Sequence, residues 1–172
     1  SILYVGDLCP CGEMFKAAYN STVQPSLLSY VSLPFSYWSG SLIARLTVTG
    51  SLMHRARLVV ASHYNMEAAG LTINEAMGQN TTILDITGPG VYDITFPWVS
   101  QTRRKRVPSG AFADPRPFSM GQYSIRVLSP LQYMASIAGS IDIVVSLAGG
   151  PDFELSCYEN NAADFRVDPN AV

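Results

Sequence analysis

Leu42-Ile43-Ala44-Arg45-Leu46-Thr47-Val48-Thr49 reads in strict alternation, with Leu42, Ala44, Leu46 and Val48 on one side and Ile43, Arg45, Thr47 and Thr49 on the other. Period two, with one apolar and one mostly polar face, is the pattern of a half-buried β-strand. Gly50-Ser51 interrupts it and a second strand follows, in which Ala56, Leu58 and Val60 share a face while Arg55 and Arg57 point the other way. Two adjacent strands across a short glycine-containing break predict an antiparallel hairpin.

The same period recurs outward from this pair. Residues 81–87 read as a strand with Leu84 and Ile86 inward, and Gly88-Pro89-Gly90 as a turn. Tyr92, Ile94, Phe96 and Trp98 then line one face of another strand. Pro97 has no ladder N–H, which places that strand at an edge or at a bulge. Tyr123, Ile125 and Val127 mark a strand that Pro130 ends, and Ile141, Ile143, Val145 and Leu147 mark the last long one, closed by Gly149-Gly150-Pro151. Ile2-Leu3-Tyr4-Val5 is a weaker strand at the start. Met14 with Ala18 and Phe15 with Tyr19 stack at helical spacing, so Glu13 to Tyr19 is the convincing helix of the first half. Residues 20–34 read as a Ser/Pro-rich connection. Residues 63–80 read as a long connection in which Met66–Ala69 and Ile73–Met77 each make one helical turn. Residues 102–121 read as a polar loop, and 159–172 as an extended C-terminal tail. The expected core is Leu46, Val48, Leu58, Val60, Ile94, Phe96, Ile125, Val127, Ile143 and Val145. Short antiparallel strands between Gly/Pro turns imply an all-β sandwich or barrel with short helices in the connections, as a single domain over 1–172.

The bulk numbers bound the partners. Of 172 residues 48% are hydrophobic and 14% charged, against a usual charged share of about 25%. A surface so lean in charge points to burial against other chains. A net charge of −2 gives no global attraction to nucleic acid or anionic membrane. No apolar run approaches the roughly 18 residues of a membrane-spanning helix, so no membrane anchor is expected. Ser1 with no secretory leader points to a chain cut from a precursor or trimmed. The three cysteines, Cys9, Cys11 and Cys157, lack the spacing of a disulfide framework and suit a reducing compartment.

Few residues suggest chemistry. Arg103-Arg104-Lys105-Arg106 holds four of the eleven basic residues and reads as a solvated loop, or as a contact for RNA or an acidic partner surface, or as a processing site. Cys9 and Cys11 with His54 and His63 make a poor zinc set, because the C-x-C spacing is short and nothing requires the histidines to converge. Asn20-Ser21-Thr22 and Asn80-Thr81-Thr82 match a glycosylation sequon but read as turn residues. Trp38 and Trp98 would serve an alternative, lectin-like module by stacking sugars. No nucleophile–base pair or phosphate loop stands out, and no cofactor or metal is expected.

Several stretches then resemble one family, the capsid proteins of picorna-like viruses (dicistro-, ifla-, marna- and secovirus-like). Tyr37-Trp38-Ser39-Gly40-Ser41-Leu42 resembles the Tyr/Trp-x-Gly-Ser-Leu opening of that family's fourth strand, and Gly12-Glu13 the segment ahead of it. Arg57-Leu58-Val59-Val60 resembles the next strand. Phe96-Pro97-Trp98-Val99-Ser100-Gln101-Thr102 resembles Val-Pro-Tyr-Val-Ser-Pro-Thr. Gly121 to Leu131 resembles Gly-x-Leu-x-Ile-x-Val-Leu-Asn-Pro-Leu, and Ile141 to Leu155 the final strand with its Asp-Phe-Glu exit.

The resemblance implies an antiparallel jelly-roll sandwich that self-assembles with sister subunits and copies of itself into a non-enveloped icosahedral shell. That shell would enclose an RNA genome, touched non-specifically, and would assemble in the host cytoplasm. The family's first two strands lie ahead of the Gly-Glu segment, where only about eleven residues remain here, so the reading is a chain lacking its first strands. The resemblance also implies an Asp-Asp-Phe motif proposed for precursor cleavage, at the position of Pro151-Asp152-Phe153. With Pro151 in place of the first Asp, Asp152 is the only candidate catalytic residue. The reading favoured is a turn cap ionising near its reference value of about 3.9, and no enzymatic role.

Overall fold

A computed structural model of the chain describes residues 1–11, 26–64, 68, 70–108, 117–136 and 139–159. The expected helix over Glu13 to Tyr19, the turn over Met66–Ala69 and the tail beyond 159 lie wholly or mostly outside them.

Ten strands and two short helices follow one another: β1 (Ile2–Asp7), α1 (Leu27–Ser32), β2 (Phe35–Ser39), β3 (Leu42–Thr49), β4 (Arg55–Tyr64), α2 (Ile73–Met77), β5 (Asn80–Thr87), β6 (Gly90–Phe96), β7 (Lys105–Arg106), β8 (Gly121–Gln132), β9 (Asp142–Gly149) and β10 (Glu154–Tyr158). They form a four-stranded sheet in the order β1-β8-β4-β5, a three-stranded sheet β6-β3-β9, and a second three-stranded sheet β10-β2-β7. All pairings are antiparallel.

The alternation in β3 is kept in space: Leu42, Ala44, Leu46 and Val48 are buried. The hairpin expected between β3 and β4 does not form. β6 pairs with β3 on one edge and β9 on the other, so β3 has no free edge to offer. β4 instead pairs with β5 and β8 in the opposite sheet. The break at residues 50–54 is therefore a corner between sheets. It is held by the Ser51 N–H donating to His54 Nδ1 at 2.9 Å and the Gly88 N–H donating to the His54 carbonyl at 2.9 Å. Leu46 and Val48 thus face Leu58 and Val60 across one core, together with Leu84, Ile86, Ile94, Phe96, Tyr123 and Ile125. Val127, Ile143 and Val145 pack against that core but are half-buried.

Other expectations are adjusted. β8 does not stop at Pro130 but runs to Gln132. Its register against β4 shifts between Arg55 and Arg57, opposite Gln132 and Ser129, so Pro130 falls in a bulge where no ladder N–H is required. Pro97 lies just beyond β6, which is an edge strand, as its missing donor demands. One strand, β1, precedes the Gly12-Glu13 segment and occupies the edge beside β8. Within 20–34, read as a plain connection, α1 forms, with Ser26 as N-cap accepting from the Ser29 N–H at 3.2 Å. α2 forms as expected, closed by a capping box between Thr72 and Glu75.

Candidate functional site

β2–β3 and β9–β10 run side by side, and both chains bend at the same level. Phe35–Ser39 pairs with Glu154–Tyr158, and Leu42–Thr49 with Asp142–Gly149. At the bend Gly40 takes φ +103°. The Gly150 N–H donates to the Ser41 carbonyl at 2.8 Å, and the Ser41 N–H donates to Asp152 Oδ1 at 3.0 Å. The Ser41 hydroxyl donates to the same carboxylate oxygen. These bonds from Ser41 hold the Asp152 carboxyl below its ordinary range, rather than near it as the sequence suggested. Asp152 is thus a clasp between two bent strands, with Oδ1 accepting both bonds from Ser41.

Beside this clasp lies Trp38, fully buried, its indole Nε1–H donating to the Phe118 carbonyl at 2.9 Å. Its ring meets Trp98 edge-on at 5.0 Å and Phe153 at 6.0 Å. A fully buried indole cannot stack a sugar, which removes the residue the lectin-like alternative most needs.

The basic run is not a plain loop. Lys105 and Arg106 form β7 and pair with Trp38 and Tyr37. The Val107 N–H donates to the Ser36 carbonyl at 2.9 Å, which extends the anchor. Arg103, Arg104 and Arg106 are exposed, and Arg104 approaches Glu154 at 3.5 Å. Lys105 is buried, and desolvation holds its ammonium below the ordinary lysine range. The four cations therefore divide into three that can meet a partner and one that belongs to the fold. Arg103→Ser, Arg104→Ser and Arg106→Ser together are expected to shift stability by no more than about 0.5 kcal/mol. Lys105→Ser, losing its packed stem, should cost about 1 kcal/mol or more. Chemical denaturation of the two variants tests the split, and equal effects would refute it.

Cys11 is buried, and its thiol donates to the Ser29 carbonyl at 3.8 Å. Burial pushes it up to about 12, against the weaker opposing effect of the Ser29 side chain, so it stays protonated. His54 and His63 flank and end β4 at its two extremes, and do not converge. Among the described residues no group of three or more His, Cys, Asp or Glu is placed to hold a metal ion, and no helix is long and apolar enough to cross a membrane.

A polar network that the sequence did not reveal lies on the outer face of the four-stranded sheet, under α2. His63 Nε2 is 2.9 Å from Ser124 Oγ, which also accepts from Arg126 Nε at 3.1 Å. The Arg126 guanidinium donates to the Leu71 and Ala68 carbonyls at 2.6 and 2.8 Å. Ser124 and His63 are fully buried, so this serine–histidine contact is sealed from any substrate. Among the described residues His63 Nδ1 has no hydrogen-bond partner.

Burial first, and then the Arg126 charge, hold His63 below its ordinary value of 6.5. Below pH 6.5 the unfolded chain therefore binds a proton that the folded chain refuses until its lower pKa is reached. Stability is full above the unfolded value of 6.5 and falls as pH drops from there toward the lower folded value, by at most about 1.4 kcal/mol per pH unit. Thermal unfolding between pH 7.5 and 5.5 should show this fall, and His63→Gln should flatten it. An unchanged slope in that variant would assign the effect elsewhere.

Among the described residues three groups of exposed apolar side chains stand out. α1 is inverted: Ser29 and Ser32 face inward, with the Ser29 hydroxyl donating to the Pro10 carbonyl at 2.7 Å, while Leu27, Tyr30 and Val31 are exposed. Leu52, Met53, Tyr133 and Met134 are exposed on the corner after β3 and on the segment after β8, and His54 meets the Tyr133 ring at 6.4 Å. Val91 and Val144 are exposed on the outer face of the β6-β3-β9 sheet.

No protein-family model matches the chain. It is 28% identical over 123 residues to a genome polyprotein of Ljunganvirus 1, covering 69% of this chain and 5% of that polyprotein. A chain in the structure of black queen cell virus superposes with TM-score 0.78 at 21% identity, over 94% of this chain and 66% of that one. A chain of the Triatoma virus empty capsid superposes with TM-score 0.73 at 19% identity, over 92% and 66%. The chain thus spans a small part of the polyprotein and just under two thirds of the two structural neighbours. With this strand order and these neighbours, the chain has the jelly-roll fold seen in picorna-like virus capsid proteins.

Proposed function

We propose that the chain is a subunit of a non-enveloped icosahedral shell, and that its work is association with sister subunits and copies of itself around an RNA genome. The observation that carries this is the apolar surface at three separate places on an otherwise well-packed sandwich: α1, the loops around Leu52 and Tyr133, and the outer face of the β6-β3-β9 sheet. A monomer rarely exposes that much, and several weak contacts per subunit close a shell cooperatively. RNA is held without sequence preference, with Arg103 and Arg106 exposed to meet it and Arg104 beside them, paired to Glu154. Assembly takes place in the host cytoplasm, and the product is the virion. The role is structural, with no catalytic step assigned to Asp152.

Co-expression with its sister subunits, followed by velocity sedimentation, tests the reading. Large particles are expected from the native chain. Leu27→Ser, Tyr30→Ser and Val31→Ser together should leave a folded subunit that stays small. A native chain that remains monomeric beside its sisters would overturn the proposal.

A further inference from the structure

Four arginines stand on the strands of the two main sheets, and three have acceptors. Arg45 is forked onto Asp93 at 2.7 and 2.8 Å, Arg57 meets Asp85 at 2.5 Å, and Arg126 is spent on backbone carbonyls. Arg55 is exposed and has no side-chain acceptor among the described residues. It stands on β4 directly between Thr87 of β5 and Gln132 of β8, and one pleat along the same face Arg57 stands between Asp85 and Ser129. The register shift at this end of β4 spreads Ser129 from Gln132. The result is an open cleft of about 470 Å³ lined by these side chains.

The chemistry of the cleft is that of a donor set awaiting an acceptor. Asp85 is neutralised by Arg57, which leaves one uncompensated positive charge, that of Arg55. Around it are the Thr87 and Ser129 hydroxyls and the Gln132 amide, none of them engaged by another side chain among the described residues. A guanidinium presents a planar fork that matches the two oxygens of a carboxylate. A nucleic-acid backbone is the poorer fit, because its binding draws on several cations along a repeating charge, and here one net charge sits beside a carboxylate. We propose that this cleft binds a single carboxylate borne by a neighbouring polypeptide, with the Arg55 guanidinium forked onto it. The site is testable on the isolated chain and does not depend on shell assembly.

The test follows the arginine side-chain Nε–H resonances by NMR while the chain is titrated with N-acetyl-glutamate α-methylamide, and separately with an octauridine RNA. A saturable shift at Arg55 is expected, at least about fivefold tighter than any response at the ordinary exposed Arg103, as a forked rather than point contact requires. It should vanish in Arg55→Gln, whose backbone amide spectrum elsewhere should match the native one because the side chain is exposed. Arg55→Lys keeps the charge but not the fork, and should lose the selectivity over Arg103, which keeps the proposal testable if the glutamine variant misfolds. Equal responses at Arg55 and Arg103, full selectivity in Arg55→Lys, or tighter binding of octauridine than of the glutamate probe at Arg55 would each overturn the assignment, the last in favour of RNA.

Discussion

Replacing Trp38 with alanine is expected to lower the stability of the fold by about 3–5 kcal/mol. The indole is fully buried where the β10-β2-β7 sheet meets the core, between Trp98 and Phe153, and its N–H satisfies the Phe118 carbonyl. Truncation removes the packing of both aromatic neighbours and the hydrogen bond to the Phe118 carbonyl. Trp38→Phe separates the two effects, since it keeps a ring but not the N–H, and should cost less than alanine while still losing about 1 kcal/mol for that hydrogen bond. Equilibrium unfolding in denaturant measures both. A loss under about 1 kcal/mol in the alanine variant would mean that the aromatic group is not the anchor of this end of the sandwich.

Gly40→Ala should be nearly as damaging although it adds a single methyl group. At φ +103° a side chain is strained before any contact is considered, by about 1–3 kcal/mol. A Cβ would also fall 2.2 Å from the Asp152 carbonyl oxygen and 2.6 Å from Phe153 Cα, and these are backbone atoms that cannot swing aside. Relief requires the bend at Asp152 to move, which breaks the clasp with Ser41. The expected total is about 3–5 kcal/mol, the strain and the overpacking together. Gly70→Ala is the control, because nothing lies within 4 Å of its added Cβ. Indistinguishable melting temperatures for the two variants would refute the account.

What could be read from the residues was the set of alternating strands. β3, β5, β6 and the first part of β8 carry period two plainly, and their inward residues are buried as expected. Partnership was less legible. The stretch from Val48 to Arg55 looks like a hairpin because a hairpin and a corner between sheets use the same glycine-rich break. Only the occupation of both edges of β3 by β6 and β9 distinguishes them, and those strands lie far away in the chain. β2 and β10 escaped because neither alternates: in Phe35–Ser39 only Trp38 is buried. α1 escaped because its buried side is serine and its apolar side is outward, the reverse of the pattern that marks a surface helix. Lys105 hid among three solvated arginines. Asp152 was placed correctly as a turn residue, but its partner Ser41 was invisible, since nothing in the local sequence links the two.

The clasp between Ser41 and Asp152 also bears on how the chain reaches this state. Leu42 pairs with Gly149 and Phe35 with Tyr158, so the strands that open the sandwich wait for those that end it. Connections this distant make loop closure the slow step, and all-β domains of such topology typically fold in roughly milliseconds to seconds rather than microseconds. While the ribosome is still making the last third of the chain, β3 has neither β9 beside it nor Asp152 to seal its bend. The nascent chain must therefore carry an apolar strand with one edge unpaired until β9 and Asp152 have been made. That interval makes it a client for chaperones.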